Sequence, residues 1–395
     1  MTDRTRWGTV AALVIAGVIV ALQIGKAAIA VPVLQRELSL TLVVAAWMIG
    51  AYGMMAAVFG LPAGILSSLF SARRALLFGL VTAGIGSLAG AMATNGAFLI
   101  ATRVVEGAGF LAAVLALPRL INSVTAPKDR DVVFAFWAAY MPLGSVIMMV
   151  AGPHLMTFGW QTLWIVNGVI VLAYAALIVF LRLDQEQLPA QGPRSTVWPN
   201  IRAVLGTPGP ALLALAFGIY TFQYSSIANL LPTLLVDRMG LSVAAAGAIS
   251  AITVAANAVG NIFAGALARM GVPLWALATF GFSFVAVASF GIFSDQVPVI
   301  VIAVLASACL AITGVIPASI FAAAPRVAKS SALLAIVLGL TNQVSNIGNL
   351  VGPAVTGTVA QTFGWESAPF LFTGMMSLGL IVALLLRKVM RDAKS

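Results

Sequence analysis

The sequence predicts an all-α membrane protein with twelve transmembrane helices arranged as two six-helix repeats. The composition, an internal repeat and the distribution of basic residues all predict this class. Of the 395 residues, 61% are hydrophobic and 8% are charged, whereas soluble domains carry about 25% charged residues. A helix needs roughly 20 apolar residues to cross a bilayer, so the chain has room for about a dozen crossings with short connections.

The two halves of the chain share landmarks that recur after about 200 residues. The matching landmarks are Gln23 and Gln223, Pro32 and Pro232, Gly64 and Gly265, Pro118 and Pro317, Gly152-Pro153 and Gly352-Pro353, and Phe158-Gly159-Trp160 and Phe363-Gly364-Trp365. A repeat of this length is far outside the solenoid range of about 20 to 50 residues. It indicates two half-proteins facing each other, an arrangement typical of secondary transporters.

Apolar runs, separated by Gly, Pro and charged residues, predict the individual helices. The predicted helices 1 to 12 cover residues 7–33, 42–67, 73–93, 97–121, 132–155, 161–181, 210–235, 243–268, 273–293, 298–322, 332–360 and 368–386. The first apolar run follows Arg4 and Arg6 and is longer than a signal-peptide core of about 7 to 15 residues, which predicts a retained helix. We expect bundles at 1–181 and 210–395, the second with a short cytoplasmic tail, joined by a polar, proline-rich cytoplasmic linker at 182–209.

The basic residues are distributed unequally between the two sides of the predicted membrane. Of the 21 Lys and Arg residues, Lys26 and Arg103 lie inside helices and only Arg36 and Arg238 lie opposite the termini, which leaves 17 on the terminal side. By the positive-inside rule, both termini are predicted to be cytoplasmic in the cell's inner membrane. The net charge of +10 therefore reflects topology and does not predict nucleic-acid binding.

The composition supplies little for catalysis or metal binding. The chain has one histidine, His154, and one cysteine, Cys309. A His-based metal cluster, a disulfide and a Ser-His-acid triad are therefore excluded or unsupported. We expect no enzyme activity, no metal and no cofactor, and a monomer in the lipid bilayer whose partner is a small-molecule substrate.

Three charged residues remain inside the predicted helices: Lys26 in helix 1, and Arg103 and Glu106 in helix 4. A Lys, Arg or Asp at a helix centre costs about 2.5 to 3.5 kcal/mol even on mild insertion scales, so such residues usually pair or face a cavity. The rise of 1.5 Å per residue places Lys26 and Arg103 in one layer, roughly 9 Å below the boundary opposite the termini.

This layer allows several interpretations. Arg103 and Glu106 are spaced i, i+3 and can form an ion pair that is either structural or functional. Lys26 can bind a substrate anion, extend its amine toward the outer surface, or pair with Glu106. Glu106 is the only carboxylate in a predicted span, so any proton coupling most simply involves it.

Neutral polar and aromatic residues complete the predicted substrate site. Gln23 and Gln223 occupy equivalent repeat positions and could approach a central ligand from opposite sides; interhelical hydrogen bonding is the alternative. The other predicted lining residues are Tyr52, Tyr140, Tyr224 and Asn229.

Several motifs resemble the major facilitator superfamily over the whole chain. Residues 32–38 (PVLQREL) resemble that family's end of helix 1, residues 103–109 (RVVEGAG) resemble the helix 4 motif Arg-x-x-x-Gly-x-Gly, and Gly144 with Gly152-Pro153 resembles the helix 5 motif. The loop between helices 2 and 3 departs from the pattern, because Ser68 stands where the family has an aspartate that latches the loop. A finer resemblance, at 106–110 and 117–120, is to the cyanate and nitroimidazole permease branch.

The resemblance implies a secondary transporter that works by alternating access, with helices 1, 4, 7 and 10 lining the cavity. It also implies conformational roles for a set of motif residues: Gly64, Arg73, Arg74, Gly107, Gly152, Pro153, Gly352 and Pro353. The positive layer predicts a small organic or inorganic anion as cargo, and it allows coupling to protons by symport or antiport. The alternative is an exporter of neutral or amphiphilic drugs or metabolites, in which Lys26 is structural.

Overall fold

A computed structural model of the protein describes residues 4–67, 71–181, 197–328 and 331–392. These residues form α-helices joined by short turns, and no strand occurs among them. The first half contains α1 Trp7–Glu37, α2 Leu42–Ser67, α3 Ala72–Gly90, α4 Gly96–Ser123, α5 Arg130–Ala138, α6 Tyr140–Met156 and α7 Trp160–Phe180. The second half contains α8 Val197–Leu205, α9 Pro208–Asp237, α10 Val243–Arg269, α11 Leu274–Ile292, α12 Val299–Thr313, α13 Val315–Ala328, α14 Ser331–Phe363 and α15 Ala368–Asp392. Short 3₁₀ turns lie at Pro127–Asp129 and Trp365–Ser367.

Within the described ranges, ten helical stretches are long and apolar enough to cross a membrane. They correspond to ten of the twelve predicted helices. The other two, predicted at 132–155 and 332–360, are also helical but are not among these ten stretches. The first is split into α5 and the 17-residue α6. The second is the 33-residue α14, whose apolar character is reduced by Asn and Gln side chains.

Two predicted helices are interrupted, and each interruption lies just before a proline. The predicted helix 132–155 breaks between α5 and α6, and the predicted helix 298–322 breaks at Gly314 between α12 and α13. Pro142 has no N–H to donate to the carbonyl oxygen of Ala138, and Pro317 has none to donate to the carbonyl oxygen of Thr313. The ring of each proline also crowds the carbonyl group that lies four residues earlier. The continuous helices expected at these two places are therefore wrong.

The predicted linker at 182–209 lies partly outside the described residues. Its described part contains the short helix α8, and α9 begins at Pro208, two residues earlier than expected. Thr207 has extended backbone angles and prolines occupy the first turn of α9, where a missing N–H costs no hydrogen bond. The division of the chain into bundles at 1–181 and 210–395 stays a prediction.

Helices of the two halves meet at the membrane side opposite the termini. The N–H of Val43, at the start of α2, donates to Gln361 Oε1 near the end of α14 at 2.9 Å. A Cβ atom at Gly50 would lie 2.6 Å from the carbonyl oxygen of Leu350 in α14. A Cβ atom at Gly247, at the start of α10, would likewise overlap the carbonyl oxygen of Met149 near the end of α6. These glycines permit close contact between backbones, as in other membrane helix pairs.

Gly107 is the tightest glycine contact near the charged layer. A Cβ atom there would overlap the carbonyl oxygen of Tyr52 in α2. We therefore expect Gly107→Ala to lower the free energy of unfolding by about 1–3 kcal/mol, because α2 and α4 must separate. Gly374→Ala in α15, where no atom lies within 4 Å, is the matched control and should unfold like the parent protein. Equilibrium unfolding in mixed micelles measures both, and equal stability of the two variants would contradict the expected clash.

Candidate functional site

The three charged residues predicted to share one layer lie together in a buried cluster. Lys26 Nζ is 3.0 Å from Glu106 Oε1, and Arg103 Nη1 bonds Glu106 Oε2. The exposed fractions of the side chains are 0% for Lys26, 1% for Arg103 and 0% for Glu106. One carboxylate thus serves two cations, each through a different oxygen. We call Lys26, Arg103 and Glu106 the charged triad.

The amine of Lys26 has further contacts on its other side. It donates a hydrogen bond to Ser87 Oγ in α3 at 2.7 Å and lies 4.8 Å from the ring centroid of Trp164 in α7. Ser87 in turn donates to the carbonyl oxygen of Trp164 at 2.7 Å. A ring face at this distance attracts a cation by its quadrupole. The amine is therefore enclosed by α3, α4 and α7.

Arg103 is held from the side of α2. Its guanidinium carbon lies 4.5 Å from the ring centroid of Tyr52, and its Nε is 3.4 Å from the carbonyl oxygen of Met48. The hydroxyl of Tyr52 donates to the carbonyl oxygen of Val20 in α1 at 2.9 Å. Tyr52, predicted as a lining residue, thus forms one wall of the charged triad and ties α1 to α2.

These contacts decide between the alternatives for Lys26 and Arg103. The ion pair of Arg103 with Glu106 and the common layer are confirmed. The alternative in which the Lys26 amine extends toward the outer surface is wrong, since the amine is enclosed and pairs with Glu106. Binding of a substrate anion by Lys26 stays a prediction. With all three groups ionised, two positive charges face one negative charge, and the triad carries a net charge of +1.

Two residues around the triad were not found from the sequence. Ser87 lies among small residues of α3 that allow α4 to approach, and a lone serine in such a stretch looks like packing. Trp164 follows the Phe158-Gly159-Trp160 landmark by one helical turn, which was the only available signal. Both touch Lys26 because α1, α3 and α7 converge, a relation that the sequence spacing does not contain.

The glutamine pair is brought into different environments. Both amide atoms of Gln23 are buried and make no hydrogen bond within the described part of the chain. Gln223 Nε2 donates to Thr313 Oγ1 at 2.9 Å, while its Oε1 has no such partner. Asn229 donates to the carbonyl oxygen of Ser225 in its own helix. Gln23 and Gln223 therefore keep unused hydrogen-bonding groups, whereas the Asn229 amide nitrogen is bonded within α9.

The predicted tyrosines belong to two aromatic groups. Tyr140 stacks on Trp137 with ring centroids 4.2 Å apart, and both pack over Gly17 in α1. Tyr224 lies 5.9 Å from Tyr220, whose hydroxyl accepts a hydrogen bond from Asn257 at 2.9 Å. The first group belongs to the first half of the chain, and the second belongs to α9 and its neighbours.

The motif residues lie mainly at helix ends and helix contacts. Gly64 is near the end of α2, and Arg73 Nη2 donates to the carbonyl oxygen of Val179 at the end of α7 at 2.6 Å, while Arg74 is exposed. Arg73 therefore binds the end of a neighbouring helix. Ser68 lies outside the described residues.

The two Gly-Pro motifs also serve helix contacts. Gly152 faces Ile29 of α1, and Pro153 lies beside Gly247 of α10, so this motif borders both its own half and the other. A Cβ atom at Gly352 would overlap the carbonyl oxygen of Phe222 in α9, and the adjoining Pro353 lies inside the unbroken α14. No cluster of three or more metal-binding side chains occurs among the described residues.

Comparisons with known proteins agree with this architecture. The chain matches the profile described as Major Facilitator Superfamily over residues 13–342 and 213–395. It is 23% identical to the hexuronate transporter of Bacillus subtilis, over 92% of this chain and 90% of that protein. It is 28% identical to the methyl viologen resistance protein of Salmonella typhimurium, over 48% of this chain and 37% of that protein. For seven of the curated relatives, the chain spans less than half of their length.

A solved structure shares the fold across the whole chain. It is a bacterial homologue of the human lysosomal transporter Spinster, in an inward-facing and unoccupied conformation, with a TM-score of 0.82 at 13% identity. The match covers 100% of this chain and 99% of that one. The profile spans nearly the whole sequence and the all-helical fold agrees with it, so the chain belongs to the Major Facilitator Superfamily, a family of membrane transporters and not of enzymes.

Proposed function

We propose that this protein is a secondary transporter that carries a small organic anion by alternating access, coupled to protons through the charged triad. The observation that carries the proposal is the buried triad itself, in which two cations share one carboxylate at exposed fractions of 0 to 1%. Charges at such depth are costly and mark ion or proton pathways in membrane proteins. In this proposal both termini are cytoplasmic, in the inner membrane, and the protein acts as a monomer without nucleic acid.

The contacts between the halves support alternating access. The bond of Val43 with Gln361, and the close contacts of Gly50 with Leu350 and of Gly247 with Met149, lie on the side opposite the termini. Gln343 Nε2 of α14 also donates to the carbonyl oxygen of Ala57, deeper along α2, at 3.0 Å. Rocking of one half against the other requires that such contacts break on one side and form on the other. A cargo drives this exchange only when it binds the two states with different free energies.

The preference for an anion has two supports. The triad has a net charge of +1 when all three groups are ionised, and an anion in the same layer would be stabilised by that charge. The relative that this chain matches over nearly its full length is named for hexuronate, a carboxylate. The unused amide nitrogen of Gln23 could donate to the carboxylate of such a cargo, and the unused Oε1 atoms of Gln23 and Gln223 could accept from its hydroxyl groups.

A second candidate is export of drugs or metabolites, with Lys26 in a structural role. It is favoured by the contacts of the Lys26 amine, which are all with α3, α4 and α7 of its own half. The name of the methyl viologen resistance protein fits this alternative. The two candidates differ in the charge of the cargo, which is negative in the first and neutral or positive in the second.

Ligand stabilisation of the purified protein distinguishes the two. A ligand present at about 100 times its dissociation constant stabilises the folded state by about 2.7 kcal/mol. Glucuronate, a hexuronate, should raise the melting temperature under the anion proposal, while methyl viologen should not. The reverse order would replace the first candidate by the second, and a protein stabilised by neither would point to another cargo.

Removal of the Lys26 charge tests its contribution to uptake. We expect Lys26→Ala to weaken glucuronate uptake tenfold or more, because the loss of a charged hydrogen-bond donor costs about 1.5–3 kcal/mol. Lys128→Ala, in an exposed turn, is the matched control and should transport like the parent protein. Initial rates in proteoliposomes provide the measurement, and parent-like uptake by Lys26→Ala would place the anion site elsewhere.

A further inference from the structure

We propose that Lys26 carries the coupled proton and that Glu106 stays ionised as the permanent counter-charge of both cations. This inference deepens the proposed function and rests on its proton coupling. It changes the role expected for Glu106, the only carboxylate in a predicted span. It follows from the charge of the triad and from the hydrogen bonds of its two titratable members.

The charge balance separates the two candidates for proton binding. Protonation of Glu106 would raise the net charge of the triad from +1 to +2 and leave two buried cations without a counter-charge. Loss of a proton from Lys26 would lower the net charge to zero. Arg103 keeps its proton in proteins. Since uncompensated charge is strongly disfavoured at this depth, the favourable exchange is between +1 and zero, and it occurs on Lys26.

The carboxylate geometry opposes protonation of Glu106. Its Oε1 accepts from Lys26 and its Oε2 accepts from Arg103. A proton on either oxygen would replace an acceptor by a donor that points at a cation. Protonation therefore breaks one of two charge-assisted bonds, which are among the strongest that side chains form.

The amine geometry accommodates both forms of Lys26. Two N–H groups are used, one toward Ser87 Oγ and one toward Glu106 Oε1. Ser87 donates its own hydrogen to the carbonyl oxygen of Trp164, so it accepts from the amine. A neutral amine retains two N–H donors and keeps both bonds. Departure of the third proton, on the side of the Trp164 ring, breaks no described hydrogen bond. It removes the cation–π contact and the ionic part of the bond to Glu106, while the hydrogen bond itself stays.

Among the described residues around the Lys26 amine, no second amine competes for the proton. The helices packed against α1 at this level bring three other ionisable groups among the described residues: Arg103 and Glu106 from α4, and Tyr52 from α2, whose hydroxyl bonds Val20. Tyr140 of α6 lies against Gly17, which is nearer the start of α1 than Lys26. Ser87 and Trp164 complete the enclosure and are neutral.

Buried polar atoms one helical turn from the amine offer a route for the proton. Gln23 precedes Lys26 by one turn of α1, and Asn167 follows Trp164 by one turn of α7. Both amide atoms of Gln23 and the Oδ1 of Asn167 are buried and unbonded within the described residues. Buried polar groups of this kind are commonly satisfied by water. The route leads from Lys26 toward the side of the termini.

The transport step is a simple proton exchange. The Nζ–H bond breaks, the electron pair stays on nitrogen, and the proton passes to water on the side to which the protein is open. Reprotonation from the other side completes the cycle. An anion favours the +1 form of the triad and a cation favours the neutral form, and linkage makes these preferences reciprocal. The cargo's charge thus sets the direction: an anion moves with the proton and a cation moves against it.

Direct titration of the lysine provides the first test. The chain has five lysines, at positions 26, 128, 329, 388 and 394. In protein labelled with ¹⁵N at lysine Nζ, the Lys26 signal is the one missing from Lys26→Arg. We expect this signal to change from ammonium to amine as the pH is raised, while the ¹³C carboxyl signal missing from Glu106→Gln stays that of a carboxylate. A constant ammonium signal with a titrating Glu106 would overturn the inference.

A transport assay provides the second test. Lys26→Arg keeps the positive charge but cannot release its proton. With glucuronate as the probe, we expect this variant to lose all accumulation driven by a pH gradient, whereas counterflow exchange, which needs no release of the proton, should fall to a much smaller extent. Lys128→Arg is the control with the same substitution and should accumulate like the parent protein. Parent-like accumulation by Lys26→Arg would overturn the inference.

The two tests separate this inference from the function on which it rests. If the parent protein exchanges glucuronate or methyl viologen by counterflow but accumulates neither under a pH gradient, the proposed coupling fails, whatever the NMR titration shows. If the parent protein accumulates either cargo and Glu106 is the group that titrates, the coupling stands and the assignment to Lys26 fails.

Discussion

Replacement of Glu106 by leucine is expected to lower the free energy of unfolding by about 3–5 kcal/mol. The substitution removes the one carboxylate between Lys26 and Arg103, both of which are buried. Removal of one partner from a buried ionic cluster leaves charge without compensation, which accounts for the size of the effect. Equilibrium unfolding in mixed micelles measures the loss.

Two further variants show that the loss arises from charge. Glu37→Leu alters an exposed acid at the end of α1 and should change stability by no more than about 0.5 kcal/mol. The triple variant Lys26→Met, Arg103→Met, Glu106→Leu removes all three charges and should recover most of the stability, since apolar replacements of whole buried ionic clusters are often neutral. A triple variant as unstable as Glu106→Leu alone would show that packing, not charge, is responsible.

The second large effect concerns energy coupling. Glu106→Gln should abolish accumulation of cargo driven by a pH gradient and leave counterflow exchange intact. Glutamine keeps the size of the side chain but not its charge, so Lys26 and Arg103 can no longer both be cationic at this depth. Lys26 is then held neutral, and the exchange of its proton stops.

Proteoliposomes loaded with glucuronate allow both activities to be measured in one preparation. Counterflow needs the substrate site and the rocking motion but no net proton movement, so it reports on folding and binding. Unchanged accumulation in Glu106→Gln would remove the triad from the coupling mechanism. Loss of counterflow together with accumulation would instead assign Glu106 to binding or folding.

The architecture could be predicted well from the sequence because the bilayer imposes simple rules on a chain. Backbone groups must be satisfied within each segment, so apolar runs of sufficient length become helices. The same rules made Lys26, Arg103 and Glu106 conspicuous, since ionisable residues inside such runs are rare. The i, i+3 spacing of Arg103 and Glu106 predicted their ion pair for a local reason, the geometry of one helix.

Helix continuity was predicted less well. Pro142 and Pro317 break helices that the apolar pattern presents as continuous, whereas Pro118 and Pro353 lie inside unbroken helices. A proline removes one backbone hydrogen bond in every case. Whether the helix is interrupted there depends on the neighbouring helices and on side chains that bond to the freed carbonyl group. Sequence pattern does not contain that information.

The class of the protein, its helices and the common layer of three charged residues follow from the amino-acid sequence, because each depends on composition or on spacing within one segment. The partners of Lys26 depend on long-range packing: Ser87 and Trp164 lie 61 and 138 residues away along the chain. Their approach requires α3 and α7 to converge on α1, which places the amine against Glu106 and inside its own half. Three-dimensional packing therefore determined which side chains enclose the Lys26 amine, because those contacts join segments that are distant in the sequence.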